Sequence, residues 1–440
     1  CACTTIRLDA GDQMQGTPIS NVSFGRATVE ALNGLGLDAA AIGNHEFDWS
    51  IDTLQSRMRD ARYQFVSANI TDSARGTRPE WAQPWVLVER GGLRVAVIGL
   101  TTRSTPTTTA PRHVRGLTFG DGAQALRRYL PAARAAADFV IVVAHEGGFC
   151  DRAACHGEIL DVARRLDSAA VDLIVAGHSH SLVNTVVNGI PIVIAGSGGG
   201  AVAVVDFVRV AGRRAVQARL VTPYADQVKP DAALVAALAR RQAGIRTLTS
   251  RVVGRLKFPL LREESEYGLG RLIADAQRNV GKGDVAIMNN GGIRTGLSAG
   301  PVTWGDVYRV QPFGNRLRRL TVRGSVLVAA LEHCVTAAEA RPDCHVSGIE
   351  VWYDPRRPPG RRITRTRLEN GESVDRGRTY TLVVSDFMAN GGSGFAMLRG
   401  GGVSAEDLNL VDMDALIRYL DVLRSPVEAP ADERFHRAGG

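Results

Sequence analysis

No stretch of about 18 uninterrupted apolar residues occurs in the 440-residue sequence, so it encodes no helix of bilayer-spanning character. Any Cys-x-x-Cys repeat is also absent, which removes a zinc ribbon from consideration. Internal repeats and low-complexity tracts are missing as well. A concentrated basic stripe is lacking too. The formal charge is +8, but the 53 Lys and Arg are dispersed, with only short clusters such as Arg316, Arg318, Arg319 and Arg356, Arg357, Arg361, Arg362. A nucleic-acid polymer needs a concentrated footprint, so none is expected as a partner. A dispersed excess reads either as attraction for small anions or as an arginine-rich solvated surface.

What is present is length and apolar content for more than one core: 440 residues, 45% of them hydrophobic, which predicts two domains. The first residue is Cys1 and not Met, as in a mature or fragmentary chain whose signal peptide is out of view. Six cysteines form three close couples, Cys1 with Cys3, Cys150 with Cys155 and Cys334 with Cys344. Even number and local pairing suit disulfides at Cys150–Cys155 and Cys334–Cys344, or else partly buried thiols; Cys1 and Cys3 are too close to bridge comfortably. Disulfides would place the protein outside a bacterial cytoplasm, in the periplasm, secreted or on the cell surface.

From the start to about Phe207, short apolar runs end abruptly in polar residues: Thr5 to Ala10 at Gly11-Asp12, Ala39 to Ile42 at Gly43-Asn44-His45, Phe139 to Ala144 at His145, and Leu173 to Ala176 at Gly177-His178. Such runs read as strands buried on both faces. Helices are predicted at Phe24 to Leu35, Ile51 to Ala61 and Gly122 to Ala137. Ile190 to Val210 reads as two strands joined by a glycine turn, and Gln227 to Arg246 as a linking helix. The second half has predicted helices at Gly268 to Asn279 and Ser325 to Ala338, and strands at Val285 to Met288, Ile349 to Tyr353 and Tyr380 to Val384. Pro426 to Gly440, polar and rich in Pro and Gly, is expected to be a loose tail.

In open α/β sheets chemistry collects at the carboxyl ends of strands. Four strand ends here carry Asp12, Asn44, His145 and the pair His178 and His180. Carboxylate, amide and imidazole together suit divalent transition metals such as Zn or Mn, and two such ions roughly 4 Å apart would clamp a phosphate. Each residue alone is ordinary, since a histidine after an apolar strand is commonly structural and Gly-Asp is a common turn. Their order, Gly-Asp, Gly-Asn-His-Glu, His and Gly-His-x-His, resembles the calcineurin-like metallophosphoesterase signature. The resemblance implies that Asp12 bridges two metals, that Asn44, His145 and His178 hold one and His180 the other, and that His45, oriented by Asp48, stabilises the leaving oxygen. Read without the family, Asp48 could also be a helix N-terminal acid. The family opens with an Asp-x-His strand that supplies two further ligands. No such motif precedes Gly11-Asp12, so the first-metal site is incomplete, and an N-terminally truncated chain missing its first, central strand is expected.

In the second half, Asn289-Asn290-Gly291-Gly292-Ile293-Arg294, Gln311-Pro312-Phe313-Gly314-Asn315 and Asp386 to Phe395 resemble the 5′-nucleotidase C-terminal domain, and Glu264 to Ala276 resembles its opening helix. Glycine pairs beside an arginine let backbone approach a ligand while a guanidinium forks onto phosphate or carboxylate. The resemblance implies that Arg294 meets the phosphate of a nucleotide or nearby oxygens, that Phe387 stacks on its base, and that Asn290, Gly292, Asn390, Gly391, Gly392 and Ser393 complete the substrate-binding set. Two positions depart from it. Ser393 stands where relatives carry a ribose-gripping Asp, and Asp343-Cys344-His345 where they often carry a second stacking ring.

The expected whole is an α/β protein: a four-layer α/β/β/α metallophosphatase domain at 1–226, a linking helix at 227–246, an α/β nucleotide-recognition domain at 247–425 and the tail at 426–440, with the active site in a cleft between the domains. The expected reaction is release of phosphate from nucleoside 5′-monophosphates by a dimetal-bound hydroxide. Rivals are a 2′,3′-cyclic-nucleotide phosphodiesterase, a nucleotide-sugar hydrolase, a thiosulfohydrolase, or a metal-poor nucleotide binder without turnover.

Overall fold

A computed structural model describes residues 4–151, 154–210, 213–263, 265–336, 341–400 and 402–438. Cys1, Cys3 and Glu264 lie outside the described residues. The chain divides into two compact units: Cys1–Gln15 with Val22–Arg241, and Gly16–Asn21 with Gln242–Gly440. The main division falls inside the predicted linking helix, which is formed at Ala232–Thr249. Gly16–Asn21 departs from a simple linear division and groups with the second unit, where the Asn21 amide donates to Pro312 O at 2.9 Å.

Two sheets make the middle layers of the first unit. One is parallel, in the order Leu8–Asp9, Ala39–Ala41, Gln64–Val66. The other runs Leu182–Val187, Ile190–Ala195, Leu173–Ala176, Phe139–His145, Leu93–Thr101, Trp85–Arg90. Its four inner strands are parallel and its two edge strands antiparallel. Between the sheets lies an apolar cluster including Ala39, Ala41, Val66, Val97, Ile141 and Val143. Their outer faces are covered by helices. Arg26–Leu35 and Ile51–Asp60 pack with Val29, Leu54 and Phe65 on one side. Gly122–Ala136 and Glu158–Arg164 pack with Leu126, Ile98 and Val142 on the other. This is the expected α/β/β/α arrangement, and it follows from central strands whose two faces are both apolar. Helix starts follow local chemistry: the Ser50 hydroxyl accepts Thr53 N–H and the Asp121 carboxylate accepts Gln124 N–H.

In the second unit a five-stranded mixed sheet runs Cys344–Ser347, Val285–Asn289, Thr379–Ser385, Arg316–Arg323, Ser404–Val411. Helix Gly324–Cys334 covers one face through Leu327 and Leu331, while Gly268–Gly281 and Asp412–Val422 cover the other through Val280 and Ala415. Both predicted disulfides form, Cys150–Cys155 and Cys334–Cys344.

One expectation is corrected. The segment read as a loose tail is built into the second unit: Phe435–Arg437 pairs in parallel with Ile349–Tyr353, Phe435 is buried, and Arg434 forks onto Asp275 at 2.6 and 2.9 Å. A buried arginine with a bidentate carboxylate partner overrides local Pro/Gly composition. The two strands expected within Ile190 to Val210 form on either side of the glycine turn, and each finds its partner elsewhere: Ile190–Ala195 pairs with Leu182–Val187 and Val202–Val210 with Arg213–Val221.

Candidate metal centre and nucleotide-recognition loops

Each predicted donor of the first unit stands where a parallel strand ends. Asp12 follows Leu8–Asp9, Asn44 follows Ala39–Ala41, His145 closes Phe139–His145 and His178 follows Leu173–Ala176. Glycines bring these ends together. A Cβ on Gly43 would lie 2.2 Å from Asp12 Oδ1, and one on Gly11, itself at φ 91°, 2.8 Å from Gly43 N. Only the bare backbone permits that approach.

The geometry centres on one atom. His145 Nε2 lies 2.9 Å from Asp12 Oδ2, 3.1 Å from Asn44 Oδ1 and 3.2 Å from His178 Nδ1. The other ring nitrogen of His145 faces Ala10 O at 2.8 Å. A carbonyl can only accept, so Nδ1 carries a proton and Nε2 is the atom offered to the group. The Asn44 amide nitrogen donates to Thr108 O at 3.3 Å, leaving Oδ1 for the site. Ligand atoms of Asp12, His145 and His178 all lie within 4.8 Å of one another. His180 is exposed and stands outside that group.

The electrostatics match. Burial alone would raise the Asp12 carboxyl, but the charges of His145 and His45 hold it well below the usual range. Burial disfavours charge on His145, yet the Asp12 carboxylate outweighs it and pulls the ring up to about 9. Burial and the charge on His145 push His178 down to about 3. A single proton at His145 Nε2 can serve only one neighbour at a time, while three acceptors converge there. A divalent cation in its place would meet a lone pair from each of Asp12, Asn44, His145 and His178, so the donor set fits such an ion.

Beside this group, His45 Nδ1 donates to Asp48 Oδ2 at 2.8 Å, Thr109 Oγ1 donates to Asp48 Oδ1 at 2.7 Å, and His45 N–H donates to Asp12 Oδ1 at 2.8 Å. This His–Asp pair is therefore tied to the candidate ligand through one peptide group. Sequence reading passed over Glu46, although it closes the Gly-Asn-His-Glu motif. Its buried carboxylate accepts the N–H groups of Asp12, Gly43, Gln13 and Met14 at 2.7, 2.7, 2.8 and 3.4 Å. Thr109 carried no local signal and is found only through its long-range bond.

In the second unit, Asn289 Nδ2 donates to Ser393 Oγ at 3.1 Å, which joins the two predicted glycine loops. His333 Nε2 donates to Ser393 O at 2.7 Å. The half-buried Phe387 ring lies over Gly392, where a Cβ would come within 2.4 Å of it. A Cβ on Gly292 would meet Met288 Cε at 2.5 Å. Gly391 turns with φ 86°, and Asn390 Nδ2 donates to Asp386 O at 2.7 Å. Arg294 lies 5.7 Å over the Phe313 ring and donates to Gly291 O at 3.3 Å. Asn290 is engaged in the scaffold: it is buried, its Oδ1 accepts Tyr267 OH at 2.8 Å, and its Nδ2 donates to Glu263 O at 3.4 Å.

Comparison with known proteins agrees with both units. The family described as 5′-nucleotidase, C-terminal domain matches residues 250–400, and that described as bacterial capsule synthesis protein PGA_cap matches residues 4–195. The crystal structure of the 5′-nucleotidase precursor from Thermus thermophilus superposes with a TM-score of 0.90 at 30% identity, over 100% of this chain and 91% of that one. The 5′-nucleotidase of Vibrio cholerae is 27% identical over 492 residues, 99% of this chain and 86% of that protein. Endonuclease YhcR of Bacillus subtilis is 30% identical over 455 residues, where this chain covers 36% of the longer protein's length. A four-layer unit with strand-end Asp, Asn and His, followed by a nucleotide-recognition unit, defines a phosphoester hydrolase of the metallophosphatase class. The chain belongs to the 5′-nucleotidase family.

Proposed function

We propose that this chain hydrolyses nucleoside 5′-monophosphates to nucleoside and phosphate with the help of divalent metal ions, outside the cytoplasm. The observation that carries the proposal is the convergence of Asp12 Oδ2, Asn44 Oδ1 and His178 Nδ1 on His145 Nε2, next to the His45–Asp48 pair. Asp12, Asn44, His145 and His178 would hold one ion, with His180 assigned to a second. When bound, such ions supply Lewis acidity toward the phosphoryl oxygens and the attacking water.

His45 is then the proton donor to the departing ribose oxygen. Asp48 fixes the proton on Nδ1, so the proton handed over is the one on Nε2, and the Thr109 hydroxyl keeps the carboxylate aimed. In the second unit we assign the substrate to Gly292 and Arg294 on the phosphate side, and to Phe387, Asn390, Gly391, Gly392 and Ser393 on the nucleoside side. Asn290 supports the loop, since both ends of its amide are engaged. The functional domains are taken as 1–226 and 247–425, joined by 227–246. The two disulfides support the extracytoplasmic assignment.

The test is phosphate release from AMP with added Mn2+ or Zn2+, run beside 2′,3′-cyclic AMP, UDP-glucose and thiosulfate. AMP turnover that falls in His45→Ala supports the proposal. No phosphate release from AMP, with His45→Ala indistinguishable from wild type, removes it.

A further inference from the structure

His178 and His180 both adopt left-handed backbone, φ 68° and 56°, a region unfavourable for residues other than glycine. Something must hold this turn, and the residues alternating with the histidines are serines. Gly148 N–H donates to Ser179 Oγ at 3.1 Å and Ser181 Oγ donates to Gly148 O at 2.5 Å. The Ser179 hydroxyl reaches either Gly148 O or Ser181 Oγ, both at 2.9 Å. Two side chains from the His178–His180 turn thus grip a single peptide unit three residues beyond His145.

That peptide unit is closely packed. A Cβ on Gly148 would lie 2.6 Å from Leu160 Cδ2, one on Gly157 would lie 2.7 Å from Gly148 Cα, and one on Gly147 would lie 3.2 Å from Ser179 Cβ. Ile159 N–H donates to Gly147 O at 3.1 Å. Immediately after Gly148 the chain enters the Phe149–Cys150 strand, paired with Cys155–His156 and closed by the Cys150–Cys155 disulfide. An unbroken path runs from the disulfide through Gly148 and two hydroxyls to the ring that faces His145.

We propose that Ser179 and Ser181 are positioning residues of the metal centre: by clamping Gly148 they hold the strained turn that presents His178, and they couple it to the Cys150–Cys155 hairpin. The inference rests on the reading that Asp12, His145 and His178 hold a divalent cation. It extends that reading to residues that do not touch the ion and to a covalent link remote in sequence from His178. Partners that orient ligands act on affinity for the ion rather than on chemistry alone, and their loss costs about 10- to 100-fold.

The experiment is calorimetric titration of the whole chain with Mn2+, with folding checked by circular dichroism. Ser179→Ala/Ser181→Ala is expected to weaken Mn2+ binding by about 10- to 100-fold. Ser181→Thr keeps the hydroxyl and should stay near wild type; threonine is not placed at 179, where Gly147 is already close. Cys150→Ser/Cys155→Ser should weaken binding in the wild-type background and add little in the alanine background, because the two changes break one path. A folded alanine variant with Mn2+ affinity within twofold of wild type, or a disulfide effect equal in both backgrounds, overturns the clamp alone. Wild type that binds no Mn2+ overturns the metal reading and the clamp with it.

Discussion

Asp412 allows a sharp electrostatic test of the second unit. It is the first residue of helix Asp412–Val422, 1% exposed, with its Oδ1 accepting Met413 N–H at 2.8 Å and its Oδ2 facing the Asn315 amide at 3.4 Å. A helix start favours a carboxylate, but here burial wins and pushes the carboxyl up to about 7 from its ordinary 3.8, with Asp386 and Asp414 adding to the rise. A raised folded pKa means that the unfolded chain releases its proton first. The stability contribution is therefore complete below the unfolded pKa and is lost as pH rises toward 7. At 1.36 kcal/mol per unit, the span from 3.8 to about 7 sets a ceiling of roughly 4 kcal/mol. Asp412→Asn retains an oxygen for Met413 N–H and does not titrate. Urea unfolding between pH 4 and pH 8, followed by fluorescence with Trp304 in the same apolar cluster as Met413, should show wild type and variant converging near pH 4. By pH 8 the variant should be the more stable by up to the same roughly 4 kcal/mol. Parallel curves across that range would refute the claim that Asp412 folds protonated.

Glu46→Gln leaves one oxygen for two of the four N–H groups and turns an amide donor toward the others, so the first unit should lose about 2 to 4 kcal/mol and melt several degrees lower. Glu30→Gln, which breaks only a largely exposed pair with Arg241, is the control and should cost under about 1 kcal/mol. His45→Ala should lower kcat on AMP by about 10²- to 10⁴-fold while leaving Mn2+ affinity near wild type, because its bond to Asp12 comes from the backbone. Thr109→Ala, which only loosens Asp48, should cost at most about tenfold in kcat. Replacing Cys334 and Cys344 by alanine opens a loop with a sequence separation of 10, and loop-closure entropy sets the loss at about 3 kcal/mol in urea unfolding.

Much of the candidate metal centre was legible because its chemistry is written where strands stop. A buried parallel strand is an apolar run, and an Asp, Asn or His at its end stands out against it. Glu46 was visible as a letter of the same motif but not as a role, since three of its four backbone N–H partners, Asp12, Gln13 and Met14, lie in a loop more than thirty residues away. Thr109 and the pairing of Ile190–Ala195 with Leu182–Val187 share that difficulty, being decided by which segments meet in space. Arg434 shows the same limit from the other side. Polar, proline-rich surroundings suggested a loose end, whereas a fork onto Asp275 and a bond to Val346 O bury it at the edge of a sheet. Local composition describes what a segment prefers alone, and a long-range charge pair with two hydrogen bonds is enough to override it.

The same tension explains where strain collects. Among the described residues nine non-glycine positions take positive φ, and four of them, Asp12, His178, His180 and Ser393, were singled out for function from sequence. Each such position costs on the order of 1 to 3 kcal/mol and persists only where its surroundings over-determine it. Asp12 has Glu46 receiving its N–H and that of the next residue; His178 and His180 have the two serines on Gly148; Ser393 has Asn289 on its hydroxyl and His333 on its carbonyl. In all three places the restraint is a hydrogen bond from another segment rather than a change to glycine, because a glycine would relieve the backbone and delete the donor atom. The side chains that look merely structural around these sites are therefore the reason that reactive ones can occupy positions the backbone disfavours.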